Sequence, residues 1–218
     1  MKIFHRLAHF ILDIMLPKKE HVQFLEIMAK NGALSTLTEA PILPRSYMQA
    51  LFHYKDQKVR DLVWQIKYAG NSFLTEAVAK LLSEEIVSFF DDQSNFIDHN
   101  WLLVPIPTSK KHLKEKGFNQ TENLAKAMMK HCDNKFITYA PNLLQKIQET
   151  EAQVTIKNKS KRLENLKNTY GTFSNELITG RNIFVIDDVI TTGSTMGEAR
   201  RALRSAGAKQ IICLAIAH

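Results

Sequence analysis

The stretch from Ile183 to Glu198, IFVIDDVITTGSTMGE, constrains this chain most. Four apolar residues, Ile183 to Ile186, predict a short buried strand of a parallel sheet. Two carboxylates, Asp187 and Asp188, follow at the strand end, outside the core. Thr191, Thr192, Gly193, Ser194 and Thr195 then form a loop of small hydroxyl residues around a glycine. Thr195 with Glu198 fits a T-x-x-E capping box, so a helix is expected to start there.

Strand, acidic pair, hydroxyl loop and helix N-terminus, in that order, suit a phosphorylated sugar. A helix N-terminus leaves backbone N–H groups unpaired and carries partial positive charge, which attracts phosphate. Gly193 lets the backbone approach the anion, and Thr191, Thr192, Ser194 and Thr195 can donate hydroxyl hydrogen bonds to it. Val189 belongs to the same candidate binding run. The carboxylates repel phosphate but can accept hydrogen bonds from ribose hydroxyls. The helix dipole contributes only about 0.3–1 kcal/mol at an exposed terminus, so affinity has to come from several converging hydrogen bonds. The plainer alternative is an acidic strand end beside an ordinary helix cap. No G-x-x-x-x-G-K-[ST] loop and no G-x-G-x-x-G fingerprint occurs.

At 218 residues the chain is expected to form one α/β domain with a small appendage. Its net charge is +7. Residues 108 to 167 hold 13 Lys or Arg against 6 Asp or Glu, a difference that accounts for the whole excess. Such a segment suits pyrophosphate, nucleotides or nucleic acid, or is simply a solvated basic face. Cys132 and Cys213 form no C-x-x-C pair, which speaks against a disulfide framework or a zinc site. No run of about 18 apolar residues occurs, so no membrane span is expected. His5, Arg6, His9 and Asp13 interrupt any signal-peptide core, and the cytoplasm is the expected compartment.

In chain order, residues 4 to 15 have the spacing of an amphipathic helix, and residues 18 to 44 hold only a loose helical pattern from Val22 to Ala29. Tyr47 to Tyr54 suits a strand or hairpin. Helices are expected from Val59 to Ile66, from about Phe73 to Phe90, from Asn119 to about His131, and after the acidic pair as far as Gly207. Further strands are expected at Trp101 to Val104, Leu143 to Ile147, Tyr170 to Phe173 and Ile211 to Ala217. Pro105 and Pro107 are expected to stop the ladder of the first of these, and residues 148 to 162 read as a polar loop. Alternating strands and helices imply a parallel sheet flanked by helices, with ligands at the carboxyl ends of its strands.

Several further motifs occur in a set order. They are Tyr54; Ile66-Lys67-Tyr68 with Gly70; Val104-Pro105-Ile106-Pro107; Lys116-Gly117-Phe118-Asn119-Gln120; Gln153 with Arg162 and Asn165; and Asp187 to Thr195. Together they resemble the ComF family of competence proteins, and Asp187 to Thr195 resembles the phosphoribosyl pyrophosphate (PRPP) motif of type I phosphoribosyltransferases. The resemblance implies a type I phosphoribosyltransferase-like fold over residues 47–218, with residues 1–46 as a helical appendage. It also implies PRPP or a phosphoribosyl nucleotide as ligand, Mg²⁺ accompanying PRPP, and, for some members, a role in DNA uptake. Many relatives carry a four-cysteine zinc ribbon near the N-terminus; residues 17 to 44 contain no cysteine, so no zinc is expected. Lys116 stands where an arginine is usual.

Two functions stay open on this reading. As an enzyme, the chain would transfer a phosphoribosyl group with loss of pyrophosphate. Asp187 and Asp188 would position the ribose, and Ser109, Lys110, Lys111 and Lys67 would contact the ligand. As a binding module, it would sense PRPP or bind single-stranded DNA through its basic segment, with Phe118 or Tyr170 as stacking groups. A homodimer is compatible with either.

Overall fold

A computed structural model describes residues 19–92, 101–109, 113–114, 117–133, 135–147 and 169–218. The helix expected over residues 4 to 15, the loop 148 to 162, and Lys110, Lys111 and Lys116 lie outside the described residues.

Helix α1 (Lys19–Lys30) is followed by a 3₁₀ turn (Ala33–Thr36), strand β1 (Met48–Phe52) and helix α2 (Gln57–Trp64), which continues as a π-helical turn (Gln65–Ala69). Next come helix α3 (Ser72–Asp92), strand β2 (Trp101–Pro105), helix α4 (Gln120–Met128) and strand β3 (Ile137–Tyr139). A short antiparallel pair, β4 (Gln145–Lys146) and β5 (Tyr170–Gly171), precedes the short helix α5 (Asn175–Ile178). Strand β6 (Asn182–Val189), helix α6 (Ser194–Ser205) and strand β7 (Gln210–Ala217) complete the order. The main sheet runs β1-β7-β6-β2-β3, every neighbouring pair parallel. Within the stretch Tyr47 to Tyr54, expected as a strand or hairpin, Met48–Phe52 is a strand paired in parallel with β7, and its other side meets residues 38–40 through an antiparallel bridge between Glu39 and Phe52.

Both faces of the sheet are covered, which is why its strands read as unbroken apolar runs. Phe184 and Ile186 of β6, with Ile212 and Leu214 of β7, bury against α1 to α4. Ile183 and Val185, with Ile211 and Cys213, bury against α6 and the β4–β5 pair. This alternation is the period of two of a pleated strand. On the first face Trp101 stacks on Phe184 with centroids 4.4 Å apart, and Phe89 meets both rings edge-on. Leu25, Leu34 and Leu37, from the region read as an appendage, bury into that same cluster. His21 Nδ1 lies 2.7 Å from Asp61 Oδ2, joining α1 to α2.

Three expectations need correction. Pro105 does not end the ladder: it lies inside β2 opposite Ile186, and the Ile106 N–H donates to the Ile186 carbonyl at 2.9 Å. Successive N–H groups of a strand point to alternate sides, so the donor that Pro105 lacks would face β3. There the pairing has already ended near Leu103 and Tyr139. Helix α6 does not begin on a Thr195 cap. Gly193, at φ +71°, is the N-cap and makes no side-chain cap hydrogen bond, while Glu198 pairs with Arg201 at 3.0 Å. Finally, β6 runs on to Val189, so Asp187 and Asp188 are inside a central strand and buried, not at an exposed strand end.

Candidate ligand site

The carboxyl ends of β2 and β6 lie side by side, and the motif residues gather there. Because β6 continues through the acidic pair, alternation sends its two carboxylates to different faces. Asp187 follows Ile183 and Val185 toward Tyr170 and Cys213, whose ionisation burial opposes and the Asp187 charge opposes further. Asp188 follows Phe184 and Ile186 toward α2 and α4. There its Oδ2 lies 2.8 Å from Lys67 Nζ and accepts from Gln120 Nε2 at 3.2 Å. Its Oδ1 accepts the Val189 N–H at 2.7 Å, which occupies the backbone donor of that candidate residue. Asp187 Oδ1 accepts the Asp188 N–H at 2.9 Å.

Lys67 stands in the π-helical turn, a rare conformation found mostly at functional sites. That turn ends at Gly70, φ +62°, where a Cβ would stand 3.4 Å from the Phe118 ring. The Lys-Tyr-Ala-Gly and Gly-Phe-Asn-Gln motifs therefore meet in space. Asn119 caps α4 by accepting from the Thr121 N–H at 3.2 Å. The Thr121 hydroxyl donates to the Ile106 carbonyl at 2.5 Å, tying the start of α4 to the β2 terminus. Gln120, next in the chain, is thereby aimed at Asp188. Phe118 is a packing residue here.

The hydroxyl loop is already ordered. Thr192 Oγ1 and Ser194 Oγ lie 2.6 Å apart, and the Ser194 N–H donates to Thr192 Oγ1 at 3.3 Å. Thr191 is exposed, Thr192 and Thr195 are half-buried and Ser194 is buried. Arg45, which the sequence reading did not single out, donates from Nη1 to the Gly193 carbonyl at 3.2 Å. A Cβ on Gly193 would come within 2.9 Å of Met48 Sδ, so this position requires glycine for space as well as for its positive φ. Arg200, on the same side of α6, lies over the Tyr47 ring at 4.3 Å. Ser109 is buried three residues beyond Ile106, at the same edge of the sheet; of the three residues expected around pyrophosphate it alone is described.

Burial pushes the Asp187 carboxyl up to about 8; the neighbouring Asp188 charge adds to this and Lys67 opposes it. Burial disfavours the charged form of Lys67, but Asp188, backed by Asp187, outweighs it and holds the ammonium above its usual pKa. The pair therefore presents one carboxylate matched to a lysine and one carboxyl that holds its proton near neutrality. These donors do not fit a magnesium ion seated on Asp188, because Lys67 and Gln120 fill Oδ2, the Val189 N–H uses part of Oδ1, and the Lys67 ammonium would stand against the ion. Among the described residues no group of three or more His, Cys, Asp or Glu side chains could hold a metal ion. Both cysteines are free. No helix of the described residues is long and apolar enough to cross a membrane.

Residues 135–218, which carry the acidic pair and the hydroxyl loop, match the phosphoribosyl transferase domain family. The competence protein ComFC of Streptococcus pneumoniae is 29% identical over 75% of this chain and 64% of its own length. The DNA utilization protein YhgH of Escherichia coli K12 is 30% identical over 70% of this chain and 65% of its own length. The chain thus spans a little less than two thirds of these relatives. Among solved structures, a glutamine PRPP amidotransferase from B. subtilis aligns with 65% of this chain and 25% of its own, at 15% identity and a TM-score of 0.38.

Proposed function

We propose that this chain, which is similar to the competence protein ComFC and the DNA utilization protein YhgH and matches the phosphoribosyl transferase domain over residues 135–218, binds PRPP or a phosphoribosyl nucleotide and exchanges the group on the anomeric carbon. The observation that carries this reading is the meeting of Lys67, Gln120, Asp187, Asp188 and the Thr191–Thr195 loop at the carboxyl ends of β2 and β6. The loop and the α6 N-terminus take the 5-phosphate through backbone N–H groups and hydroxyls. The acidic pair takes the ribose hydroxyls. In the reaction, the bond from the anomeric carbon to pyrophosphate breaks and pyrophosphate leaves with the electron pair. An acceptor nucleophile forms the new bond. Ser109, with Lys110 and Lys111 beyond it, is the proposed pyrophosphate contact.

Release of pyrophosphate from PRPP in the presence of a panel of nucleobases and amines tests the transfer. Saturable PRPP binding with no release under any acceptor would leave a ligand-sensing domain instead. The competence and DNA-utilization names of the relatives and the basic balance of residues 108 to 167 favour a second role, weak binding of single-stranded DNA. Its signature is a slope of about −3 to −4 in log K against log salt, from four to six phosphate contacts at about −0.7 each. Replacing Lys157, Lys159 and Lys161 by Gln should flatten it. An affinity that ignores salt, or no binding at low salt, would remove this role.

A further inference from the structure

Three donors already meet the Asp188 carboxylate, which leaves about one of its four acceptor positions, on Oδ1, open to a ribose hydroxyl. Lys67 Nζ and Gln120 Nε2 both lie on Oδ2, and the Val189 N–H lies on Oδ1. The side chain of Asp188 is 7% exposed and that of Lys67 is 29% exposed. A divalent cation on Asp188 would have to displace the ammonium or share the carboxylate with it in a site poor in water, where like charges repel strongly. The backbone around Lys67 is held in place. Its π-helical turn is closed by the positive-φ Gly70, and Phe118 packs on that glycine. Magnesium also demands near-ideal octahedral oxygen ligands at about 2.1 Å and gives up its water reluctantly.

We infer that Lys67 is the resident counter-ion of the acidic pair, and that the sugar end of this site recognises a 5-phosphoribosyl group without a divalent cation. Any metal would enter only as a passenger on a ligand's own pyrophosphate oxygens. For its ligand this rests on the phosphoribosyl reading above; the exclusion of metal from Asp188 stands separately. The ligand class selected is a ribose 5-phosphate moiety, free or within a nucleotide. Lys67 acts as a positioning residue, fixing the Asp188 carboxylate and its charge.

Two measurements on the full chain test this. In the first, ribose 5-phosphate is titrated calorimetrically in EDTA and then in Mg²⁺. Wild-type affinity should differ by less than about twofold between the two, which is within about 0.4 kcal/mol. Lys67→Gln should weaken binding in EDTA by about tenfold or more, as expected for loss of a charged hydrogen-bond partner, and Mg²⁺ should restore part of it. Lys67→Arg, which keeps the charge, should keep the indifference to metal. In the second, Mn²⁺ is added to the ligand-free protein and amide resonances are followed for paramagnetic broadening. The Asp188 and Val189 amides should stay sharp in wild type and broaden in Lys67→Gln. Strengthening of wild-type binding by Mg²⁺ of about tenfold, or broadening at Asp188 in wild type, would overturn the inference. If wild type bound no ribose 5-phosphate in either buffer, the phosphoribosyl reading would fall, and the Mn²⁺ measurement alone would decide where the metal goes.

Discussion

Gln120 Nε2 donates to Asp188 Oδ2 across 3.2 Å, so the last residue of the Gly-Phe-Asn-Gln element reaches the acidic pair of a strand far along the chain. Asn119 and Thr121 on either side of it hold the start of α4 to the β2 terminus. The motif is therefore a bracket joining three elements, and its glutamine is the part that faces the ligand site. Hydrogen bonds to charged groups contribute about 1.5–3 kcal/mol. Gln120→Leu should weaken PRPP binding by about tenfold while moving the melting temperature little, because Lys67 still neutralises Asp188. Gln120→Glu should weaken it further, since a third carboxylate would join the pair. Calorimetric titration beside thermal melts checks both; equal PRPP affinity in all three proteins would show that Gln120 is only structural.

Arg45 and Gly193 make a second pair. The guanidinium bonds the Gly193 carbonyl just where α6 begins, and nothing else in the segment around Pro44 marks that arginine in the sequence. Arg45→Ala should loosen the loop and lower phosphate affinity several-fold with a melting temperature close to wild type. Gly193→Ala should do more damage. A left-handed φ costs a non-glycine residue roughly 1–2 kcal/mol, and the added Cβ must also push back Met48 Sδ from 2.9 Å. A Gly193→Ala protein with unchanged stability and unchanged PRPP binding would contradict the loop geometry.

The buried Asp187 carboxyl gives a pH signature. Its folded-state pKa, near 8, lies above the unfolded value of about 3.9. The folded state thus holds a proton that the unfolded state has released. Its stabilising contribution is complete below about pH 4 and is lost as pH rises through about 8. Asp187→Asn, which mimics the neutral carboxyl, should therefore gain melting temperature relative to wild type as the pH is raised from 4 to 8. Parallel melting profiles over this window would mean that Asp187 is already charged in the folded chain.

Much of the fold was legible because both sheet faces are covered. The unbroken runs Ile183–Ile186 and Ile211–Ala217 have no other use than a central parallel strand, and they became β6 and β7. Strand β3 was missed because Ile137, Thr138 and Tyr139 carry no pattern of their own; pairing with β2 makes them a strand. The capping box at Thr195 misled because Thr192 and Ser194 bond each other and Gly193 turns the backbone two residues earlier. The site was legible in its parts but not in its wiring. Lys67 and Asp188 could each be named from motifs, but their ion pair is a tertiary fact. Placing both carboxylates outside the core also overlooked that a parallel strand can continue through charged residues when a lysine meets one of them.

Direct titration of PRPP into the purified chain tests the central claim, that the carboxyl ends of β2 and β6 hold a phosphoribosyl group. The companion protein is Thr192→Ala with Ser194→Ala, which removes the two hydroxyls that face each other in the loop while leaving the strand and its ion pair intact. Wild type should bind saturably. The double variant should bind about tenfold more weakly or worse, with a melting temperature within a few degrees of wild type. No heat of binding from the wild-type protein, or equal affinity in the folded double variant, would contradict the account.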